Sequence, residues 1–172
     1  MTRFALAALL LSAAAASAPA SAQVTSGFGL TAKDTSAPIE VSADRFDADL
    51  NSKTGTYSGN VLVKQGQMRL RADKVKVNVI SGKPDKIYAN GNVVFNAPSG
   101  NAQGDNCVYD VAPRLITLTG RVVLTKDKNV MRGSTLTVNL TTGQAQLGAR
   151  QVPGQRVQGL FTPPPQTQKN NP

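Results

Sequence analysis

One spacing constrains this chain more than any other feature. Gly59, Gly91 and Gly120 each open a short β-rich phrase: Gly59-Asn60-Val61-Leu62-Val63, Gly91-Asn92-Val93-Val94-Phe95 and Gly120-Arg121-Val122-Val123-Leu124. Fourteen residues after each glycine stands Asp73, Asp105 or Ser134, preceded by Ala72, Gly104 or Gly133. An apolar alternation then returns each time, as Val75/Val77/Val79, Cys107/Tyr109/Val111 and Leu136/Val138/Leu140. A truncated copy comes first, with Ala43-Asp44 ahead of Phe46/Ala48/Leu50, and the copies are offset by 29, 32 and 29 residues. Such a repeat, built from period-two strands, predicts an all-β, open stack of rungs along an axis, not a closed enzyme core. A small residue followed by a short hydrogen-bonding side chain suits a sharp bend. Each rung is therefore expected to follow one sheet, bend at the Asp or Ser position and continue along a facing sheet.

Around the repeat, the chain divides by composition. A short basic start with Arg3, an apolar run from Phe4 to Ala16 and the small-x-small site Ala20-Ser21-Ala22 predict a signal peptide over residues 1–22, cut after Ala22. The Ser/Thr/Gly/Ala-rich stretch 23–37 reads as a flexible lead-in, residues 38–160 as one β domain, and the Pro-rich stretch 161–172 as a disordered tail. Cys107 is the single cysteine, so no intramolecular disulfide forms, and its place on an apolar repeat position reads as a small buried hydrophobe.

The chemical inventory is thin. There is no histidine, which removes Ser-His and Cys-His nucleophile pairs and the commonest metal ligand. Glu40 is the only glutamate, and Asp44, Asp73 and Asp105 sit at the repeated bend, where they read as scaffold. No phosphate-cradling glycine loop or Cys/His metal spacing is present. No catalytic residue, metal or cofactor is expected.

The repeat parity instead picks out an inward apolar stripe. Its members are Val41, Phe46, Val61, Val63, Leu70, Val75, Val77, Val79, Val93, Phe95, Tyr109, Val122, Leu124, Met131, Leu136 and Val138. This face suits either a packed sandwich core or a trough between two sheets that takes acyl chains. Charge narrows the partners. Lys and Arg number 19 against 10 Asp and Glu, a formal net charge of +9. An exported protein of this charge meets anionic lipid or phosphorylated glycan before nucleic acid, or uses its lysines only for solubility. Arg69, Arg71 and Arg132 flank the bends and are candidates for phosphate contacts at the mouth of a trough, with a solvated charged face as the other reading.

The phrases Ile39-Glu40-Val41-Ser42-Ala43-Asp44, Gly55-Thr56-Tyr57-Ser58-Gly59-Asn60-Val61, Leu70-Arg71-Ala72-Asp73 and Ala89-Asn90-Gly91-Asn92-Val93, in this order behind a signal sequence, resemble the LptA (OstA-like) family of periplasmic lipopolysaccharide-transport proteins. The resemblance covers roughly residues 38–147. It implies a slightly twisted, open β-jellyroll. It also implies a non-enzymatic role as a periplasmic bridge that binds lipopolysaccharide through its lipid A moiety. The implied partners are inner-membrane and outer-membrane transport proteins with related jellyroll domains, together with further copies of the chain stacked head to tail. The edges for such stacking are expected at Ile39–Val41 and near Thr137–Leu147. Two rivals stand beside this reading: a membrane-anchored relative of the same fold, which would keep its N-terminal apolar segment, and a β-solenoid that binds or cleaves cell-wall glycan, which would need a carboxylate cluster on one stripe.

Overall fold

The computed structural model describes residues 28–149 and 156–162. The signal peptide, residues 23–27 of the lead-in and residues 163–172 of the tail lie outside them. A one-turn helix, α1 (Ala32–Ser36), precedes two short strands, β1 (Ile39–Ser42) and β2 (Arg45–Asp49). Six long strands follow: β3 (Thr54–Gln65), β4 (Met68–Ile80), β5 (Lys83–Ala97), β6 (Gly100–Asp110), β7 (Leu115–Lys126) and β8 (Asn129–Asn139). Two short ones close the order, β9 (Ala145–Gly148) and β10 (Gln158–Leu160). All pair antiparallel in a 10-stranded sheet running β1-β3-β4-β5-β6-β7-β8-β10, with β2 also on β3 and β9 also on β8.

Every long strand changes register near its middle, at one line across the sheet. Between β3 and β4 the shift falls between Ser58 and Val61, where Gly59-Asn60 stands against Asp73 alone. Gly91-Asn92 opposes Asp105 in the same way between β5 and β6, and Gly120-Arg121 opposes Ser134 between β7 and β8. Two residues against one is a β-bulge, which bends its strand and sharpens its twist. Repeated on one line, these bulges fold the sheet into two walls. Wall I holds the halves of the long strands nearest β1 and β10; wall II holds the halves nearest β2 and β9. The walls face each other: the Tyr109 hydroxyl, on wall II, donates to Gln65 Oε1, on wall I, at 3.1 Å. The sheet never closes on itself, which makes this an open β-jellyroll, as the repeat and the resemblance lead one to expect.

The bend is thus shared between two repeat signals that look separate in sequence. Asp and Ser mark the corner on the even strands, and the glycine phrase marks the same corner on the odd strands. Asp44 Oδ2 accepts from Asn60 Nδ2 at 2.7 Å, Asp73 Oδ2 from Asn92 Nδ2 at 2.9 Å, and Asp105 Oδ2 from the Arg121 backbone N–H at 3.2 Å. Gly59 and Gly91 both have φ of +78°, and a Cβ at either would collide with the aspartate beside it. Only glycine fits there, on backbone and on space.

Two expectations change. Residues 28–37 are a packed segment, not a flexible lead-in. Thr31 and Asp34 form a capping box on α1, and Phe28 and Leu30 are buried. Composition hid this because the ordering comes from contacts with distant hairpin turns. The expected last edge near Thr137–Leu147 divides: its β8 part is covered by β9, and Ala145–Leu147, in β9, lies at the end of the sheet. Cys107 is buried as expected, and burial pushes its thiol up to about 12, so it packs as a hydrophobe.

Gly91 and Gly82 separate the two costs of a corner glycine. Gly82 has φ of +74°, and a Cβ placed on it would meet nothing within 4 Å. Gly82→Ala is expected to lose about 1 kcal/mol from the left-handed backbone alone. Gly91→Ala adds the collision with Asp73 and is expected to lose about 3 kcal/mol. Urea unfolding of the two variants side by side reads the difference.

Candidate functional site

The strand register turns the apolar stripe into rows that cross the sheet. On wall I, Val41, Val63, Leu70, Phe95, Ala102, Leu124 and Met131 stand opposite one another in succession. A second row by the corner holds Val61, Val93 and Val122, each opposite a small residue, Ala72, Gly104 or Gly133. On wall II one row runs Phe46, Tyr57, Val75, Ala89, Cys107, Leu118 and Leu136, and the next runs Val77, Ile87, Tyr109, Ile116 and Val138. Val79 continues the inward parity at the end of β4, against Pro84. All the stripe residues named from the sequence therefore face the space between the walls.

That space is not uniform. Toward β8 it is packed: Leu118, Leu136 and Val138 are 0% exposed. Mid-sheet, a void of about 30 Å³ remains, bounded by Val63, Leu70 and Phe95 on wall I and by Ile87, Tyr109 and Ile116 on wall II. At the first-strand end it opens into a chamber of about 580 Å³. Ile39, Val41, Phe46, Ala48, Leu50, Tyr57, Val77, Val79 and Ile87 give it a mostly apolar lining, to which Asp49, Lys53, Thr54 and Ser81 add polar groups. Phe46 and Leu50 are 54% and 88% exposed there, and the Phe46 and Tyr57 rings lie 4.7 Å apart. Of the stripe, only Val41, Phe46, Val77 and Val79 line the open chamber; residues such as Val75, Val93, Val122 and Leu136 are already packed. Ile87 and Ala89 also face inward and were missing from the stripe read in sequence. Their signal was available: the alternation also runs backward from each glycine, as Gly55/Tyr57, Ile87/Ala89 and Ile116/Leu118.

The helical segment closes the side of the groove opposite the corner. The Phe28 ring meets Phe95 edge-on at 5.8 Å, and the Phe28 carbonyl accepts from the Ser99 N–H at the β5–β6 turn. Gln65 Nε2 donates to the carbonyls of Thr35 and Ala37 at 3.1 and 3.0 Å, while its other amide atom accepts from Tyr109. Burial raises the Tyr109 pKa above its ordinary value, so the phenol stays a donor. Asp34 Oδ1 accepts from the Gln67 N–H at 3.1 Å, and Asp34 Oδ2 from Thr31 Oγ1 at 2.7 Å. One glutamine thus ties strap, wall I and wall II together.

The three candidate phosphate-binding arginines do not converge on the groove, where Arg69 alone of them borders the mid-sheet void. Arg69 and Arg71 alternate with inward Leu70 on β4, and Arg132 lies on β8, opposite Val123. All three are exposed on the outer face of wall I. Period-two alternation decides this, since neighbours of an inward residue point away from it. Among the described residues no group of three His, Cys, Asp or Glu side chains is placed to hold a metal ion, and no helix is long and apolar enough to cross a membrane.

The fold is an open β-jellyroll with a partly open interior. The family model described as LptA/(LptD N-terminal domain) LPS transport protein matches residues 40–144, and the chain belongs to that family. It is 32% identical over 144 residues to an uncharacterized protein of Rhizobium meliloti (strain 1021), covering 78% of this chain and 75% of that one. It is 27% identical over 146 residues to the lipopolysaccharide export system protein LptA of Escherichia coli (strain K12), covering 80% and 78%. Its match to the LPS-assembly protein LptD of Haemophilus ducreyi is 31% over 145 residues, 84% of this chain but 16% of that one. In fold it is similar to the crystal structure of LptH, the LptA-homologous periplasmic component of the lipopolysaccharide transport device of Pseudomonas aeruginosa. The TM-score is 0.69 at 19% identity, covering 76% of this chain and 99% of that one.

The strap has a pH signature. Hydrogen bonds from the Thr31 side chain, then its backbone, lower the Asp34 pKa below the ordinary carboxylate value; burial opposes them and Gln67 adds to them. A carboxylate lowered in the folded state stabilises at neutral pH, and the contribution fades as pH falls from about 4 through the lowered value. The protection of the Gln67 and Thr31 amides, measured against the intrinsic exchange rate at each pH, should therefore fall below about pH 4. Asp34→Ala should lower it at pH 7 and admit chymotrypsin at Phe28 or Leu30, while the β4–β7 amides keep their protection.

Proposed function

We propose that this protein is a periplasmic carrier of lipopolysaccharide that holds acyl chains between its two walls and performs no chemical step. The observation that carries this reading is the mostly apolar chamber of about 580 Å³ at the first-strand end, continuous in register with the rows of the packed interior. Its size falls within the span of ordinary small-molecule sites, about 300–1,000 Å³. Burying one CH₂ is worth about 0.8 kcal/mol, so a chain of about a dozen carbons gains on the order of 10 kcal/mol by leaving water. A multi-acyl lipid needs such shielding to cross an aqueous compartment. Phe46 and Leu50, exposed at the rim, supply a first apolar contact. The relatives named for lipopolysaccharide export and assembly support the same cargo.

A photo-crosslinking residue at Val77, in the chamber, should capture lipopolysaccharide, and one at Lys76, on the opposite face of the same strand, should capture little. Equal capture at both would count against an interior site.

The same reading extends to partners. Among the described residues β1 with β2, and β9 with β10, stand at the two ends of the sheet, and strands in such places take a partner strand unless blunted. Joining first edge to last edge is heterologous and propagates, which keeps the apolar rows continuous between copies. Val41→Pro and Gln146→Pro are each expected to lower the mass seen by light scattering at high concentration, with an unchanged β circular-dichroism signal. A wild-type chain that stays monomeric and binds no jellyroll partner would overturn the bridge.

A further inference from the structure

The outer faces of the two walls carry charge differently. On wall II, cations sit among acids. Arg45 pairs with Asp47 at 2.9 Å and Lys86 with Asp110 at 2.6 Å, while Asp47 and Asp49 also feel Lys74 and Lys76. Wall I shows no such balance. Two outward rows cross it. One contains Glu40, Lys64, Arg69, Asn96, Thr125 and Val130; the other contains Leu62, Arg71, Val94, Gln103, Val123 and Arg132. Among the described residues the only acid in these rows is Glu40, at the edge strand, and none of the described ion pairs lies on this face. Lys64, Arg69, Arg71 and Arg132 are exposed, with the half-buried aliphatics Leu62, Val94, Val123 and Val130 between them.

We infer that the outer face of wall I docks on an anionic phospholipid surface. Three features argue for this occupant. Glu40 stands opposite Lys64 and Asp73 lies near Arg71, but none of the four cations forms a described ion pair, so an external anion replaces mainly water and counterions. Three stand together on β3 and β4 and the fourth on β8, with uncharged residues on β5–β7 between them, a separation that an extended anionic surface spans and a single phosphate does not. Aliphatic side chains stand between the cations at the same level, where a bilayer interface accepts apolar groups beside basic ones. The groove cannot supply the anion. The inward side chains of this wall are Val63, Leu70, Phe95 and Leu124, so the cations point away from anything held between the walls. The contact is independent of the cargo, and it would hold the jellyroll with wall I toward the membrane and the edge strands free.

Vesicle sedimentation with the signal-cleaved chain tests this. Vesicles of phosphatidylglycerol with phosphatidylethanolamine should retain the protein, and vesicles of phosphatidylcholine alone should not. The variant Lys64→Gln/Arg69→Gln/Arg71→Gln/Arg132→Gln should bind the anionic vesicles about tenfold more weakly or less. The control Lys53→Gln/Lys74→Gln/Lys76→Gln/Lys83→Gln removes the same charge from the exposed surface of wall II and its turns. It should retain binding within about threefold. Equal losses would reduce the effect to net charge and overturn the assignment, as would the absence of vesicle binding by the wild type or retention of an acidic protein alone. An environment-sensitive dye on Thr125→Cys, on this face, should shift to the blue on anionic vesicles, and the same dye on Thr117→Cys, on wall II, should not. The buried Cys107 leaves the introduced thiol as the reactive one. A shift at both positions, or at Thr117→Cys only, would overturn the assignment to wall I.

Discussion

The line of bulges where aspartate or serine meets glycine is the interaction on which the rest of this molecule depends. A flat antiparallel sheet of these strands would expose one apolar face along its whole length. Putting two residues against one at the same place in successive pairs bends the sheet on a single line and turns that face inward. The aspartates tie the corner across neighbouring strands: Asp44 and Asp73 accept from asparagine side-chain amides, and Asp105 accepts from the Arg121 backbone N–H. The third corner departs in detail. Arg121 replaces asparagine and grips Asp105 with its guanidinium as well as its backbone N–H. Two chemistries thus hold one geometry, because the need is for a donor at that point, not for a particular residue.

The interior that results is graded. At the β8 end, short strands on both sides supply enough side chains to fill the space, and Leu136 and Val138 are fully buried. At the other end β1 and β2 are short and separated, and they leave Phe46 and Leu50 partly in water. That exposed apolar rim beside the chamber is the feature on which the proposed cargo site rests. The strap at residues 28–37 makes the third side of the groove. Its anchors are polar and directional, with buried Phe28 and Leu30 beneath them, so it can close the groove without joining the sheet.

Much of this was legible in sequence, for reasons tied to particular residues. Val75, Val77, Tyr109, Leu136 and Val138 announce their facing by period-two alternation, which needs no knowledge of neighbours. The corner aspartates announce themselves by recurrence. Cys107 reads as core because it falls on an inward position. What failed to show has equally physical causes. Phe28 and Leu30 sit in a Ser/Thr/Gly-rich stretch with no period, and their burial comes from turns dozens of residues away. Arg69, Arg71 and Arg132 were near the bends in sequence, but lie on the far side of the wall because strand parity overrides proximity.

The sequence by itself determined the strand parity, the repeated corner and the family, since each is carried by local pattern: which residue alternates, and which glycine or aspartate recurs. Only the tertiary structure decided where the interior is filled and where it is open, that the lead-in becomes a strap, and that cations gather on one outer wall while ion pairs balance the other. Those properties depend on which strands become neighbours and how far the two walls stand apart. Such distances are set by packing between residues remote in the chain, and no local pattern encodes them.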